Sequence, residues 1–374
     1  MGIISEKDFL SKLKNLNELS FKPGEKSDLT HMDTHDFRYV ESGDFCANLH
    51  IHTHHSDGIM TVEELHQRTK EIPNMLVAIT DHDTLDGAKE AYKICNDIDI
   101  CLGIEISTVG IKFPKQPIPL SIHLLVYCID PFDKDLNDFI DEKKYLKLEL
   151  AKQTIKELNE ALPEYNFNLE EASKCHPLIT KGQDEVAYPL KKYTTGKILQ
   201  KYFCPDATFS YEEPIYKYKH LFYADDAYYL SYKRALSKFL NSPLPLISDE
   251  VFEKLQTARE IYSKAHPQIN KMLKQFSSFE DTVKFISSLK SGIMSIAHPV
   301  RIKAYRPDFY NYLFNNFKKS GENKALCWEK YYQSYEGSYY LEWCDIIERA
   351  AQGLIPTGGM DTHGKDITCR GTHY

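Results

Sequence analysis

Four histidines within six residues constrain this chain more than any other feature of its sequence. They lie in residues 49–58, which read LHIHTHHSDG and follow the mostly apolar segment 45–49. Alternate side chains of a β-strand point to the same side, so His50 and His52 can bind one cation. A turn after them brings the Asp57 carboxylate near both imidazoles. This stretch therefore predicts a metal site at a strand end.

The same arrangement, an apolar strand with metal-binding side chains on it or just after it, recurs along the chain. Strands are predicted at residues 45–51, 75–79, 98–106, 118–129 and 293–297 and before residue 361, and helices at 61–70, 86–96, 133–162 and 279–290. The side chains on or after these strands that could bind metal are His82, Glu105, His123, His298, Asp361 and His363. This alternation is typical of a β/α barrel, whose active site lies at the carboxyl ends of its strands.

Composition narrows the partners that fit this chain. Its 374 residues, 42% of them hydrophobic and 27% charged, are those of an ordinary soluble globular protein. A net charge of −8 gives no attraction to polyanions, so long nucleic acid is not expected as a partner. The nine cysteines form no C-x-x-C pair, and we find neither a secretory signal nor an apolar run of transmembrane length. We expect a cytoplasmic protein without a membrane partner, and the oligomeric state stays open.

The sequence predicts three regions. Residues 1–44 form an N-terminal extension whose amphipathic helix docks on the core, residues 45–130 and 286–374 form the barrel, and residues 131–285 form an inserted, mainly helical cap. The cap has ten tyrosines between Tyr188 and Tyr232, whose rings could stack on a base or pack together. We expect the cap to contact the substrate through Lys191, Lys192 and Lys197.

Taken together, these motifs resemble the polymerase and histidinol phosphatase (PHP) superfamily of metal-dependent phosphoesterases. The matching pieces, in the family's order, are His50-x-His52 with Ser56-Asp57-Gly58, the TDHDT run at residues 80–84, Gly103-Ile104-Glu105, His123, Ala297-His298-Pro299 and Asp361-x-His363. The resemblance implies a distorted (β/α)7 barrel, similar to a TIM barrel, whose strand ends hold two or three divalent metal ions.

The resemblance also implies a ligand set of six histidines and three carboxylates. By position, one ion would be held by His50, His52, Glu105 and Asp361; a second by Glu105, His123 and His298; and a third by Asp57, His82 and His363. Manganese, iron and zinc all accept such ligands. Closely spaced ions activate a water as hydroxide and neutralise a phosphoryl group, so phosphate-ester hydrolysis is expected. We assign catalysis to His50, His52, Asp57, His82, Glu105 and His298.

Several substrates and two other functions stay open. The expected substrate is a small phosphomonoester or nucleotide; the alternatives are the end of a short oligonucleotide, removed by an exonuclease, and a histidinol-phosphate-type ester. Similar phosphoesterases carry an Arg-Pro-His stretch in the inserted region, whereas residues 190–199 here have neither arginine nor histidine. Lys191, Lys192, Lys197 or Arg301 could replace those contacts. A hydrolase of carbon–nitrogen bonds and a non-catalytic PHP module are the remaining alternatives.

Overall fold

The structure, a computed structural model, divides the chain into two compact units. It describes residues 2–18, 46–72, 74–111, 113, 120–175, 187–203, 249–264, 278–302, 307–332, 345–359 and 361–364. The first unit comprises residues 1–144 and 273–374, and the second comprises residues 145–272. Within the described ranges, no helix combines the length and the apolar character that crossing a membrane requires.

Strands and helices alternate through the first unit. The strands are β1 (Gly2–Ile3), β2 (Cys46–Ile51), β3 (Met75–Ile79), β4 (Asp99–Ile111), β5 (Leu120–Tyr127), β6 (Ile293–Ile296), β7 (Leu326–Tyr332) and β8 (Ile355–Gly359). The helices in the described parts of the chain are α1 (Glu6–Glu18), α2 (Val62–Lys70), α3 (Asp86–Ile94), α4 (Lys134–Ala161), α5 (Leu169–Cys175), α6 (Ala187–Phe203), α7 (Asp249–Lys264), α8 (Phe279–Ser288) and α9 (Asp308–Ser320). The sequence did not predict α9, β7 or the short β1.

Strands β2 to β8 form one sheet in sequence order, and β1 pairs with β4. Strand β5 is antiparallel to both neighbours, β4 and β6, whereas the other pairs are parallel. Two hydrogen bonds join the ends of the sheet: His52 N–H donates to Thr362 O at 2.9 Å, and Thr362 N–H donates to His50 O at 3.0 Å. Asn48 adds a side-chain bond of 3.1 Å to the Thr362 hydroxyl. The sheet is thus a nearly closed seven-strand barrel, which confirms the predicted fold class.

Local sequence explains where the elements around the predicted site begin and end. All five residues of β3 are buried, as expected for a parallel strand covered on both faces. Helix α2 begins with a capping box, in which the Thr61 hydroxyl accepts from Glu64 N–H and the Glu64 carboxylate accepts from Thr61 N–H, each at 3.1 Å. This cap fixes the helix start directly after the loop that carries Asp57.

The N-terminal segment packs into the barrel core. Strand β1 extends the sheet by pairing Gly2 with Asp99 at the start of β4. Phe9 and Leu13 of α1 are fully buried, and the Phe9 ring lies 5.1 Å from that of Tyr127. Since Tyr127 ends the reversed strand β5, α1 covers the edge of the barrel where the parallel strands begin.

The second unit has a hydrophobic core of its own. It is built from helices, including most of α4 together with α5, α6 and α7, and its buried residues include Leu158, Phe167, Tyr193 and Leu199. The unit lies within the segment 131–285 that the sequence assigns to an insert. Its described aromatic side chains Tyr165, Phe167 and Tyr193 pack on one another.

Candidate metal centre

The carboxylate of Glu105 lies at the middle of a cluster of imidazoles. Glu105 is on β4 and is fully buried. Five histidine nitrogens lie within 3.2 Å of it: those of His50 (3.1 Å), His52 (3.2 Å) and His82 (3.1 Å) near Oε2, and those of His123 (2.9 Å) and His298 (3.2 Å) near Oε1. Because each oxygen faces a different set of imidazoles, the carboxylate can bridge two ions.

Asp361 completes one side of this cluster. Its Oδ1 lies 3.0 Å from Nε2 of His52 and 3.4 Å from Nε2 of His50. One ligand atom from each of His50, His52, Glu105 and Asp361 lies within 4.8 Å of the others. These four residues, which lie on or just after strands β2, β4 and β8, could hold one metal ion.

Asp57 lies among a second set of histidines in the same cluster. Its Oδ2 is 3.1 Å from Nε2 of His363 and 3.8 Å from Nε2 of His82, and its Oδ1 is 3.6 Å from Nδ1 of His52. His52, Asp57, His82 and His363 form a second group with metal-binding spacing, and His82, Glu105 and His123 form a third. His298 joins the centre through Glu105. The structure thus brings together all nine residues that the sequence proposes as ligands, and which ion each would hold stays a prediction.

Two buried atoms show that these residues fit a metal ion. Nδ1 of His52 and Oδ1 of Asp57 are inaccessible to solvent and have no hydrogen-bond partner among the described residues, although they face each other. A buried polar atom without a partner is costly, and coordination to a cation removes that cost. The nitrogen and carboxylate donors match manganese, iron or zinc.

The histidines and carboxylates of the cluster shift one another's pKa values. Burial alone would lower the pKa of His52, but hydrogen bonds to Asp361 and Glu105 raise it to about 10. Burial would raise the pKa values of Glu105 and Asp361, yet the surrounding histidines hold both well below their ordinary range. His298 differs, because burial lowers its pKa. In the absence of metal, protons on imidazoles therefore balance the carboxylates, and a cation can replace them.

Three residues at the centre have backbone conformations that non-glycine residues rarely adopt. Asp83, His298 and Asp361 have positive φ angles of 46°, 26° and 51°. Such strain persists only where the surrounding structure imposes it, and it concentrates at functional sites. Each of these residues either is a predicted ligand or adjoins one, so the strain coincides with the candidate centre.

The aspartates that flank His82 anchor the backbone around the centre. Asp81 accepts hydrogen bonds from Thr53 N–H (2.6 Å), the Thr53 hydroxyl (2.8 Å) and the Ser56 hydroxyl (2.7 Å). Asp83 accepts from Ser107 N–H at 3.1 Å and forms a fully buried ion pair with Lys143 of α4. Asp81 therefore fixes the loop that carries Asp57, and Lys143 fixes the turn after His82.

Sequence analysis missed Glu329, which supports the centre from β7. Its Oε1 accepts from Nδ1 of His50 at 3.0 Å, and its Oε2 accepts from His298 N–H at 2.6 Å. Glu329 is 1% exposed. The signal in the sequence was an acid after Leu326-Cys327-Trp328, a run too short to predict a strand by itself.

The four predicted substrate-binding residues differ in their surroundings. Arg301 donates from Nη1 to Oδ2 of Asp361 at 2.7 Å, so it lies at the rim of the centre. The Lys197 ammonium contacts Asn166 O, Tyr193 Oη and the Glu171 carboxylate, all within the second unit. The side chains of Lys191 and Lys192 lie outside the described part of the structure. Substrate binding by these lysines stays a prediction.

Comparison with known proteins identifies the family of this chain and two similar structures. A family model for the PHP domain matches residues 48–278, which is more than half of the chain. No curated protein sequence matches the chain. An amidohydrolase from Chromobacterium violaceum is similar in structure, with 20% identity, a TM-score of 0.49 and coverage of 85% of this chain and 87% of that one. A protein from Bifidobacterium adolescentis, provisionally described as a metal-dependent phosphoesterase, shows 18% identity, a TM-score of 0.49 and coverage of 86% and 88%. From the match to the family model, we conclude that this chain belongs to the PHP domain family.

Proposed function

We propose that this protein hydrolyses phosphate esters in a metal-dependent reaction and that its substrate is a small phosphomonoester or a nucleotide. The observation that carries the proposal is the convergence of five imidazoles on the buried Glu105 carboxylate, all within 3.2 Å. Membership of the PHP domain family is consistent with the same chemistry. The proposed cofactors are two or three ions of manganese, iron or zinc.

The chain's own part in this reaction is to hold charge and geometry. Ions bound here would lower the pKa of a water molecule toward neutrality and offset the charge of a phosphoryl group. Glu105, Asp361 and Asp57 would supply the carboxylates that hold the ions, together with the surrounding imidazoles. Hydrogen bonds from Thr53 and Ser56 to Asp81 keep the Asp57 loop in position.

We expect Arg301, at the rim of the centre, to bind the substrate phosphate. It contacts Asp361, and its side chain is 54% exposed, so it faces both the centre and solvent. A guanidinium has five N–H donors in a fork, which lets it hold a carboxylate and still bind a phosphate oxygen. The net charge of −8 supports a small substrate over long nucleic acid.

Phosphate release from a substrate panel tests the proposal. The protein, reconstituted with Mn²⁺, would be offered nucleoside monophosphates, 3′,5′-bisphosphorylated nucleotides, histidinol phosphate and a short 5′-phosphorylated RNA. We expect turnover of a nucleotide that is lost in Asp361→Asn and in His123→Ala. The matched control is His66→Ala, which removes a histidine paired with Asp97 away from the centre and should retain activity.

The other outcomes identify the alternatives. Turnover of RNA alone, with a KM that rises steeply with salt, would favour the exonuclease, because binding several phosphates releases counterions. Turnover of histidinol phosphate alone would assign the chain to that class of phosphatase. Bound metal without turnover of any ester would contradict the proposal and favour the non-catalytic module or carbon–nitrogen hydrolysis.

A further inference from the structure

His54, His55 and Glu90 form a second cluster of metal-binding side chains. One ligand atom of each lies within 4.8 Å of the other two. Nε2 of His55 is paired with the Glu90 carboxylate, and the rings of His54 and His55 lie 4.2 Å apart. None of these residues belongs to the groups around Glu105 and Asp57. Two imidazoles and a carboxylate thus converge outside the centre described above.

The backbone holds these three side chains in place. His54 N–H donates to Met60 O at 2.9 Å, and His55 N–H donates to the Thr53 hydroxyl at 3.2 Å. Glu90 lies on α3, whose Ala88 and Ala91 are buried in the barrel core. An ion would therefore meet a preformed arrangement and would order little of the chain on binding.

A second carboxylate adjoins the cluster. Glu63, in the first turn of α2, lies close to Glu90 and to His54. Two carboxylates so close together repel each other unless a proton or a cation lies between them. A cation bound in this cluster would remove that repulsion.

We propose that His54, His55 and Glu90 form a peripheral site for a divalent ion of the zinc class, with Glu63 as a further ligand. Imidazole and carboxylate are the donors that zinc, cobalt and nickel accept, and two histidines with one glutamate form a known zinc ligand set. The His55 and Glu90 side chains are 24% and 26% exposed, whereas those of His50 and Glu105 are fully buried. The peripheral ion can therefore exchange with solvent without opening the core.

An ion at this site would restrain part of the candidate active site. His54 and His55 lie between the predicted ligands His52 and Asp57 in one loop. The Thr53 hydroxyl accepts from His55 N–H and donates to Asp81, which also fixes Ser56. Occupation of the peripheral site therefore stabilises the loop conformation that presents Asp57.

Metal counting and anomalous scattering test this proposal without any activity assay. The wild-type chain and the double variant His55→Ala/Glu90→Gln would be equilibrated with the same free Zn²⁺ concentration, and bound zinc would be counted by mass spectrometry. We expect the variant to bind one ion fewer. Crystals of the wild type should show an anomalous peak at the zinc edge between His54, His55 and Glu90, and crystals of the variant should lack that peak.

The matched control is His66→Ala, which disrupts the pair between His66 of α2 and Asp97, and neither residue belongs to a metal-binding group of the described residues. It should bind as much zinc as the wild type. Circular dichroism would check that each variant folds, which we expect because these side chains lie at the surface. Equal zinc counts in the wild type and the double variant, or no anomalous peak at this position, would overturn the proposal.

Discussion

The Glu329 carboxylate accepts a hydrogen bond of 3.0 Å from Nδ1 of His50, and both side chains are buried. Because Glu329 holds the proton on Nδ1, the nitrogen that would bind a metal ion is Nε2, on the side of Glu105. The second Glu329 oxygen accepts from His298 N–H. One carboxylate thus orients two predicted ligands, His50 on β2 and His298 just after β6.

Replacing Glu329 with glutamine should weaken metal binding. Glutamine has one acceptor oxygen, so it can satisfy only one of the two donors and turns an N–H toward the other. We expect Glu329→Gln to lower metal affinity by about 10–100-fold, the usual effect of losing such a supporting residue. Isothermal titration calorimetry with the metal ion measures the affinity. Glu348→Gln, which changes an exposed acid paired with Lys330, is the control, and equal affinities in the two variants would contradict the prediction.

Removing one partner of the buried ion pair between Lys143 and Asp83 should destabilise the protein. Both side chains are fully buried. Removing one partner of such a pair leaves an uncompensated charge and typically costs about 3–5 kcal/mol. We expect Lys143→Met to lower the free energy of unfolding by that amount in chemical denaturation. The double variant Lys143→Met/Asp83→Asn should recover part of the loss, and a double variant no more stable than Lys143→Met would contradict this account.

Metal binding should release protons near neutral pH. The pKa of His52 is raised to about 10 by its hydrogen bonds to Asp361 and Glu105, so its imidazole is protonated at pH 7 in the metal-free protein. A ligand histidine must lose that proton, and metal affinity should therefore rise with pH, about tenfold per unit for each proton released. Calorimetry in two buffers of different ionisation enthalpy measures the release. A binding enthalpy that is the same in both buffers would contradict it.

The same shifts predict how the stability of the metal-free protein depends on pH. A raised histidine pKa stabilises the folded state fully below about 6.5, the value in the unfolded chain, and this contribution is lost as pH rises through about 10. The lowered pKa of Asp361 acts in the opposite direction, stabilising above about 4 and less so as pH falls. Thermal unfolding of chelator-treated protein should therefore show a maximum between these limits. A melting temperature that increases steadily up to pH 10 would contradict the prediction.

Arg301 should affect substrate affinity more than turnover. If its guanidinium binds the phosphate in the bound ester, Arg301→Ala should raise KM by about tenfold or more, which corresponds to one charge-assisted hydrogen bond. Arg301→Lys should recover only part of this, since an ammonium lacks the fork. The control is Arg349→Ala, which removes an exposed arginine bonded to Asp345 O. A fall in kcat with unchanged KM would instead mean that Arg301 acts through Asp361.

The sequence predicted the centre where local pattern determines geometry. His50 on β2 and His52 just after it face the same carboxylate because side chains alternate along extended backbone, and the apolar run at residues 75–79 is the buried strand β3. The capping box of Thr61 and Glu64 marks the start of α2. In these cases the decisive contacts lie within a few residues of each other along the chain.

Residues whose role depends on distant contacts were not found. Lys143 lies in a charged helix and resembles its solvated neighbours in the sequence, and only its contact with Asp83, sixty residues away, makes it a buried partner. Glu329 is on a strand whose sequence, LCWEKYY, has acidic and basic residues in its middle. Neither position follows from hydrophobic periodicity, because the polar group there is satisfied by another part of the fold.

The reversed direction of β5 also explains how a helix reaches the metal centre. The chain leaves β5 at the edge where the parallel strands begin, where Ile129 N–H bonds to Leu102 O and Asp130 N–H bonds to Ser291. Helix α4 therefore runs from this edge toward the edge that carries the metal centre. Lys143 comes nine residues after Lys134, which corresponds to a rise of about 13 Å along the helix. A strand parallel to its neighbours would have ended beside the centre, and the next helix would have run away from the centre. Because one strand is inverted, helix α4 brings the buried positive charge of Lys143 to the turn after His82.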